Sequence, residues 1–109
     1  MKLPNGDRAE ISRQKLLRYC LNPNHASGKH KARVFASALG ITADNVEILN
    51  ELIQRAAIEG KVIQQSTTEF GQQFKVDWTI PKTQNIELRT IWEISDLNDN
   101  PRLISAFIK

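Results

Sequence analysis

The chain is poor in features that would tie it to a membrane, to secretion or to disulfide chemistry. Its single cysteine, Cys20, excludes an intrachain disulfide, and the leucines around it predict a small core residue rather than a reactive thiol. No apolar run is long enough to span a bilayer. Residues 1–7 lack the apolar stretch of a signal peptide. We therefore expect a cytoplasmic protein with no membrane partner, although a piece of a longer secreted chain would share these features.

Motifs for metals, nucleotides and cofactors are also missing. The two histidines, His25 and His30, do not have the spacing of a zinc pair, and one cysteine adds little to them. Gly28-Lys29 lacks the upstream glycine of a phosphate-binding loop. The sequence therefore predicts no metal site and no cofactor.

The sequence does have the composition of an ordinary globular domain, with an uneven distribution of charge. The 109 residues are 40% hydrophobic and 25% charged and contain no internal repeat, so we expect one domain over residues 1–109. Residues 1–40 hold eight Lys or Arg and two acids, whereas residues 41–109 hold seven basic and ten acidic residues. This asymmetry is typical of a positive surface for a polyanionic partner, but also of a solvated basic face.

Helical periodicity dominates the first half of the chain. Ser12 is a suitable N-cap for a leucine-rich pattern, and Pro23 forbids its simple continuation. The apolar patterns predict three helices: Ser12–Leu21, Gly28–Leu39 with Gly40 as its C-cap, and a third that Thr42 or Asp44 caps and Gly60 ends.

The period of the apolar residues then changes to two, as expected for strands with one buried face. The alternations predict four strands: a short Lys61–Gln65, one through Phe74–Ile80, one through Ile86–Ile94, and Arg102–Lys109 after a polar loop at Asp96–Pro101. Helices followed by a meander give an α+β fold. We expect about three N-terminal helices packed on one face of a four-stranded antiparallel meander sheet.

The polar segment Asn22–Arg33 contains the first set of candidate functional residues. Cations crowd the first turn of the second predicted helix, where each costs about 0.3–1 kcal/mol against the helix dipole. A bound anion such as phosphate would compensate, and a tolerated surface cluster is the alternative. The candidate anion-binding residues here are Ser27, Gly28, His30, Lys31 and Arg33. Of these, Lys31 falls on the apolar side of the helix and must extend past the core or find a partner.

Two residues of the same segment are candidates for chemistry. His25 lies in the loop before the helix, where nearby cations disfavour its charged form and leave it able to accept a proton. A hydrogen bond within the loop is its alternative role. Lys29 would bind phosphate and stabilise developing negative charge.

A second set of candidates lies on the predicted strands. Arg89 is expected on the wet face of the sheet, opposite the histidine across a cleft. Thr90 or Ser105 would supply a hydroxyl donor, although Thr90 is also a good strand former. Arg102 would add a further anion contact or pair with Asp99.

Several runs of this chain resemble an uncharacterised bacterial family of unknown function, DUF6883. The matching runs are Leu3–Asp7, Lys15–Leu17, Leu21–His25, Gly28–Phe35, Ala38–Ile41, Phe70–Gly71, Arg89–Trp92 and Pro101–Leu103. At the level of fold and composition the chain is also similar to the barnase, EndoU, colicin and RelE group of metal-free ribonucleases. Ser105 stands where that resemblance implies a threonine, so a hydroxyl is kept.

Two functions follow from these patterns and stay open. The first is a metal-independent toxin-type ribonuclease that cleaves RNA by transphosphorylation and has a small acidic inhibitor protein as its cognate partner. His25, Lys29, Arg89, Thr90 and Ser105 would be its catalytic residues. The second is a non-catalytic, antitoxin-like or accessory module whose basic helix binds RNA or an acidic protein, with salt-sensitive affinity and no turnover.

Overall fold

The computed structural model describes residues 1–26 and 28–109, in which all helices precede the strands. Helix α1 begins with the α-helical turn Arg13–Lys15 and continues as the π-helical segment Leu16–Cys20, α2 spans Lys29–Leu39, and α3 spans Val46–Glu59. Short 3-10 turns occur at Gly6–Arg8 and Ala43–Asn45. The strands are β1 (Lys61–Thr68), β2 (Gly71–Thr79), β3 (Glu87–Ser95) and β4 (Asn98–Ile108). The predicted α+β class is confirmed.

Local signals in the sequence set the ends of the helices. The Ser12 hydroxyl accepts a hydrogen bond from the backbone of the first turn of α1, as its position predicted. Gly40 adopts φ 66° and ends α2, a conformation that glycine reaches without steric cost. Thr42, rather than Asp44, caps the turn before α3 and forms a reciprocal capping box with Asn45.

The four strands form an antiparallel meander in the order β1-β2-β3-β4. Alternate residues point toward the helices, with α3 packed across β2 and β3, and α2 against β4. The sheet contributes to the core chiefly through Phe74, Val76, Trp78, Leu88, Trp92 and Leu103. Burying a large apolar side chain stabilises the fold by about 1.5–3 kcal/mol, so this face anchors the helices. The opposite face, which we call the open face, carries the cross-strand charges.

Three predicted strand boundaries are wrong. Strand β1 extends to Thr68, beyond the predicted end at Gln65, β2 begins at Gly71 rather than at Phe74, and β4 begins at Asn98, inside the predicted loop. The error at β4 has a clear cause, because Pro101 suggested a loop but lies on a sheet edge. Its carbonyl accepts a hydrogen bond from Glu10 N (2.8 Å), and an edge position tolerates the missing proline N–H.

Candidate functional site

His25 organises the turn that leads into α2. Its Nδ1 accepts a hydrogen bond from Gly28 N (3.0 Å), and its carbonyl accepts one from Lys29 N (3.1 Å). The imidazole also packs edge-to-face on Tyr19, with ring centroids 4.9 Å apart. A Cβ at position 28 would lie 2.7 Å from the Tyr19 carbonyl oxygen, so this close approach requires glycine.

The hydrogen bond to Gly28 constrains what the half-buried His25 ring can do. Because Nδ1 is the acceptor, the proton of a neutral ring resides on Nε2. Acceptance of a proton at Nδ1 would break the hydrogen bond from Gly28 N that forms the turn. The alternative role predicted from the sequence, a hydrogen bond within the loop, is therefore present.

Lys31 lies where the helical periodicity predicted, on the side of α2 that faces the protein. Its ammonium nitrogen sits 4.4 Å from the centroid of the Phe107 ring and 5.8 Å from that of Tyr19. The side chain thus joins α2 to α1 and to the end of β4 through cation–π contacts.

The other basic side chains of this segment, Lys29, His30 and Arg33, are exposed to solvent. We call Lys29, His30, Lys31 and Arg33 the basic turn, of which Lys31 is half-buried. The sequence has no Asp or Glu between Ile11 and Ala43. Within the described residues, no member of the basic turn pairs with a carboxylate, whereas five cations elsewhere in the chain do. The turn therefore presents a positive surface that no carboxylate among the described residues neutralises.

Arg89 lies on the open face, as predicted, but its guanidinium is engaged. Its Nε and Nη2 atoms donate to the two carboxylate oxygens of Asp77 at 2.8 and 2.9 Å. Lys109 contacts the same carboxylate at 3.2 Å and Glu87 at 3.0 Å. The hydrogen bond from Arg89 lowers the pKa of Asp77 below its ordinary value, and the hydrogen bond from Lys109 has a smaller effect in the same direction. To contact a phosphate, the Arg89 guanidinium must either bind it together with the Asp77 carboxylate or release that carboxylate.

Neither predicted hydroxyl donor is placed beside Arg89 at the surface. Thr90 points into the core, is fully buried, and accepts a hydrogen bond from Trp92 Nε1 (2.7 Å). Ser105 is 8% exposed, and its Oγ has no hydrogen-bond partner among the described residues. Thr90 thus serves a buried tryptophan, and only Ser105 keeps an uncommitted hydroxyl.

The structure therefore brings together only part of the predicted site. His25, Lys29 and Lys31 share the start of α2, and Phe107, the residue under Lys31, is the register partner of Arg89 on β3. Arg102 lies further along the sheet, where it pairs with Glu93 (3.0 Å) rather than Asp99. Its register position is four residues from that of Arg89, or roughly 14 Å along the strand.

Ser27, also a predicted anion-binding residue, lies outside the described residues. Three residues that the sequence did not single out belong to the same region: Tyr19, Phe107 and Asp77. Only Asp77 had a usable signal, because it alternates on the same wet face as the strand residue Arg89. Tyr19 and Phe107 are brought to Lys31 by tertiary packing alone.

Two negative findings apply to residues 1–26 and 28–109. In these ranges no helix is both long and apolar enough to cross a bilayer. The same residues contain no group of three His, Cys, Asp or Glu side chains that could hold a metal ion.

Comparison with known proteins gives a fold likeness and a family. A chain from a contact-dependent growth inhibition toxin–immunity protein complex of Klebsiella pneumoniae 342 is similar to this chain, with a TM-score of 0.71 and 13% sequence identity. The likeness covers 96% of this chain and 97% of that one, and at this identity it concerns the fold alone. No curated protein matches the sequence significantly. A family model matches residues 2–109, and the chain belongs to the family described as domain of unknown function DUF6883.

Proposed function

We propose that this domain binds the phosphate backbone of RNA through the basic turn at the start of α2. The observation that carries the proposal is the set of cations there without a carboxylate partner among the described residues. Lys29 and Arg33 are exposed at or near the helix N-terminus, where the backbone dipole also favours a negative ligand. His25 adds a ring whose neutral form carries its proton on Nε2. These groups suit a chain of phosphates better than they suit a neutral ligand.

The fold likeness supports a place for this domain in a toxin–immunity pair. The similar chain comes from a complex of a toxin with its immunity protein. An RNA-directed toxin needs an inhibitor, and a small acidic protein would complement the same basic turn by charge. In this proposal RNA and the inhibitor compete for one surface. We therefore favour the RNA-directed member of such a pair over the inhibitor member.

Cleavage of the bound RNA is the second candidate function, and the neighbourhood of Phe107 favours it. Lys31 lies over this ring, and Arg89, on the neighbouring strand β3, is the register partner of Phe107. In transphosphorylation a base removes the 2′-OH proton, an acid protonates the 5′-oxygen, and cations stabilise the phosphorane. Lys29 and Lys31 would stabilise charge, and Ser105 would offer a hydroxyl.

The orientation of His25 limits that second function. For His25 to act as the base, Nδ1 must first release Gly28 N. Without that change, Nδ1 cannot take up a proton, because it already accepts the hydrogen bond from Gly28 N. RNA binding is therefore the activity that this geometry supports directly, and cleavage requires a rearrangement of the turn on the substrate.

One experiment separates the two candidates. A 5′-labelled single-stranded RNA is incubated with the protein in the presence of EDTA, and binding and cleavage are read on native and denaturing gels. We expect binding by the wild type, weaker binding by Lys29→Gln/Arg33→Gln, and unchanged binding by the control Lys61→Gln/Lys82→Gln, which removes the same charge from exposed positions elsewhere. If the wild type yields products with 2′,3′-cyclic phosphate ends and His25→Ala does not, the protein cleaves RNA as well as binding it. Equal binding by all of these proteins would contradict the assignment of the basic turn.

A further inference from the structure

At the other end of the sheet, a groove forms where the β1–β2 and β3–β4 turns meet. Asp96 N donates a hydrogen bond to the Phe70 carbonyl (3.3 Å), which ties the two turns together. Gly71, with φ 145°, allows this approach, because a Cβ there would lie 2.2 Å from the Ile94 carbonyl oxygen. The groove encloses about 630 Å³. It is a fixed feature of the strand pairing rather than a gap between loose loops.

The groove combines exposed apolar side chains with negative charge. Leu97 and Phe70 are 98% and 62% exposed, and both line it. Its carboxylates are Glu69, Glu93 and Asp96, whereas Arg102, which also lines it, is already paired with Glu93. A smaller adjoining cavity of about 90 Å³ shares Glu93 and Arg102 and adds the carboxylate of Glu10.

The groove is remote from the basic turn and opposite to it in charge. On β3, Ser95 lines the groove and Arg89 lies six positions away from it. Arg89 marks the end of the sheet near the basic turn, because it is the register partner of Phe107, which Lys31 contacts. Six residues of extended strand correspond to roughly 20 Å. Nucleic acid and acidic proteins are repelled here, and a ligand of the basic turn does not reach this end unless it is long.

We infer that this groove binds a polypeptide segment of a partner protein that carries Lys or Arg beside a large apolar side chain. The carboxylates select the cations, and Phe70 and Leu97 supply the apolar contact. The basic turn of a second copy fits less well, because its exposed large apolar neighbour among the described residues is Val34, which is 39% exposed. The inference concerns a surface separate from the one proposed for RNA.

The test uses the full ¹⁵N-labelled chain and three synthetic hexapeptides. These are Leu-Lys-Phe-Arg-Leu-Lys, its acidic counterpart Leu-Glu-Phe-Glu-Leu-Glu, and the charge-only control Gly-Lys-Gly-Arg-Gly-Lys. We expect the first peptide to shift the amide signals of Phe70, Leu97 and Arg102 saturably, and to bind about tenfold more tightly than the charge-only peptide, because burial of one large apolar side chain has that effect. The acidic peptide should leave these signals unchanged.

Variants complete the test without threatening the fold. Leu97→Ser removes an almost fully exposed side chain and should weaken the first peptide about tenfold, whereas Ile58→Ser, at a 51% exposed position on α3, should not. Equal affinity for the first and charge-only peptides, absence of saturable shifts, or shifts confined to α2 would overturn the inference. If the same signals shift when the protein alone is concentrated, the groove binds a second copy of the chain, and the inference of a partner segment is equally overturned.

Discussion

Replacement of Thr90 by valine separates a structural from a chemical role for this residue. Valine has nearly the shape of threonine but cannot accept the hydrogen bond that Trp92 Nε1 donates at 2.7 Å. Both residues are completely buried, so no solvent replaces the lost acceptor. A buried donor left without a partner costs about 1–3 kcal/mol. We therefore expect Thr90→Val to lower the free energy of unfolding by about 2 kcal/mol.

This change is large enough to measure by ordinary denaturation. For a domain of about this size, 1 kcal/mol corresponds to roughly 4–8 °C in Tm, so the variant should melt about 10 °C below the wild type. Urea unfolding followed by tryptophan fluorescence and by far-UV circular dichroism would give the free energy from two probes. Thr90→Ser keeps the acceptor and should lose less stability than valine does.

Ser105→Ala provides a matched control for the loss of a buried hydroxyl. Because the Ser105 Oγ has no partner among the described residues, its removal should change stability by less than about 1 kcal/mol, and in the favourable direction if at all. A Thr90→Val protein as stable as the wild type would refute the structural role. If such a stable variant has lost RNA cleavage, Thr90 has a catalytic role.

Two further predictions concern the contacts around the candidate site. Asp77→Asn should lower stability by about 2 kcal/mol near neutral pH, because it removes the carboxylate that accepts both hydrogen bonds from Arg89. The folded-state pKa of Asp77 lies below the ordinary value of about 3.9. The difference in free energy of unfolding between wild type and variant should therefore be complete above about pH 5 and shrink as the pH falls through that lower pKa. Urea unfolding curves in which this difference grows on acidification would contradict the prediction. Lys31→Met should lower the free energy of unfolding by about 0.5–1 kcal/mol, because it removes the cation over the Phe107 ring. A double-mutant cycle with Phe107→Leu should show coupling between the two positions, whereas strictly additive losses of stability would exclude the cation–π contact.

The sequence was informative wherever a pattern was local. Alternation placed Val76 and Trp78 in the core, and helical spacing placed Lys31 on the inner side of α2. The start of β4 was missed because polar residues before Pro101 normally form a loop. Here they form part of a strand, supported by backbone hydrogen bonds from Glu10 N to the Pro101 carbonyl and from Leu103 N to the Glu10 carbonyl, which join segments distant in sequence. Such pairing has no local signature.

The candidate site was less predictable than the fold, for two physical reasons. A residue type and a strand face do not show whether a charge is already neutralised, and Asp77 engages Arg89 across the β2–β3 pair. The aromatic contacts of Lys31 depend on how α2 packs against β4, which no local pattern specifies.

The salt dependence of RNA binding tests the central claim most directly. Fluorescence anisotropy would give the affinity for a labelled single-stranded RNA between about 50 and 300 mM salt, for the wild type, Lys29→Gln/Arg33→Gln and the control Lys61→Gln/Lys82→Gln. Each phosphate contact contributes about −0.7 to the slope of log K against log salt concentration. Loss of two contacts should make the slope shallower by about 1.4 in the first variant and leave the control with the slope of the wild type. Identical slopes for all three proteins would contradict RNA binding by the basic turn.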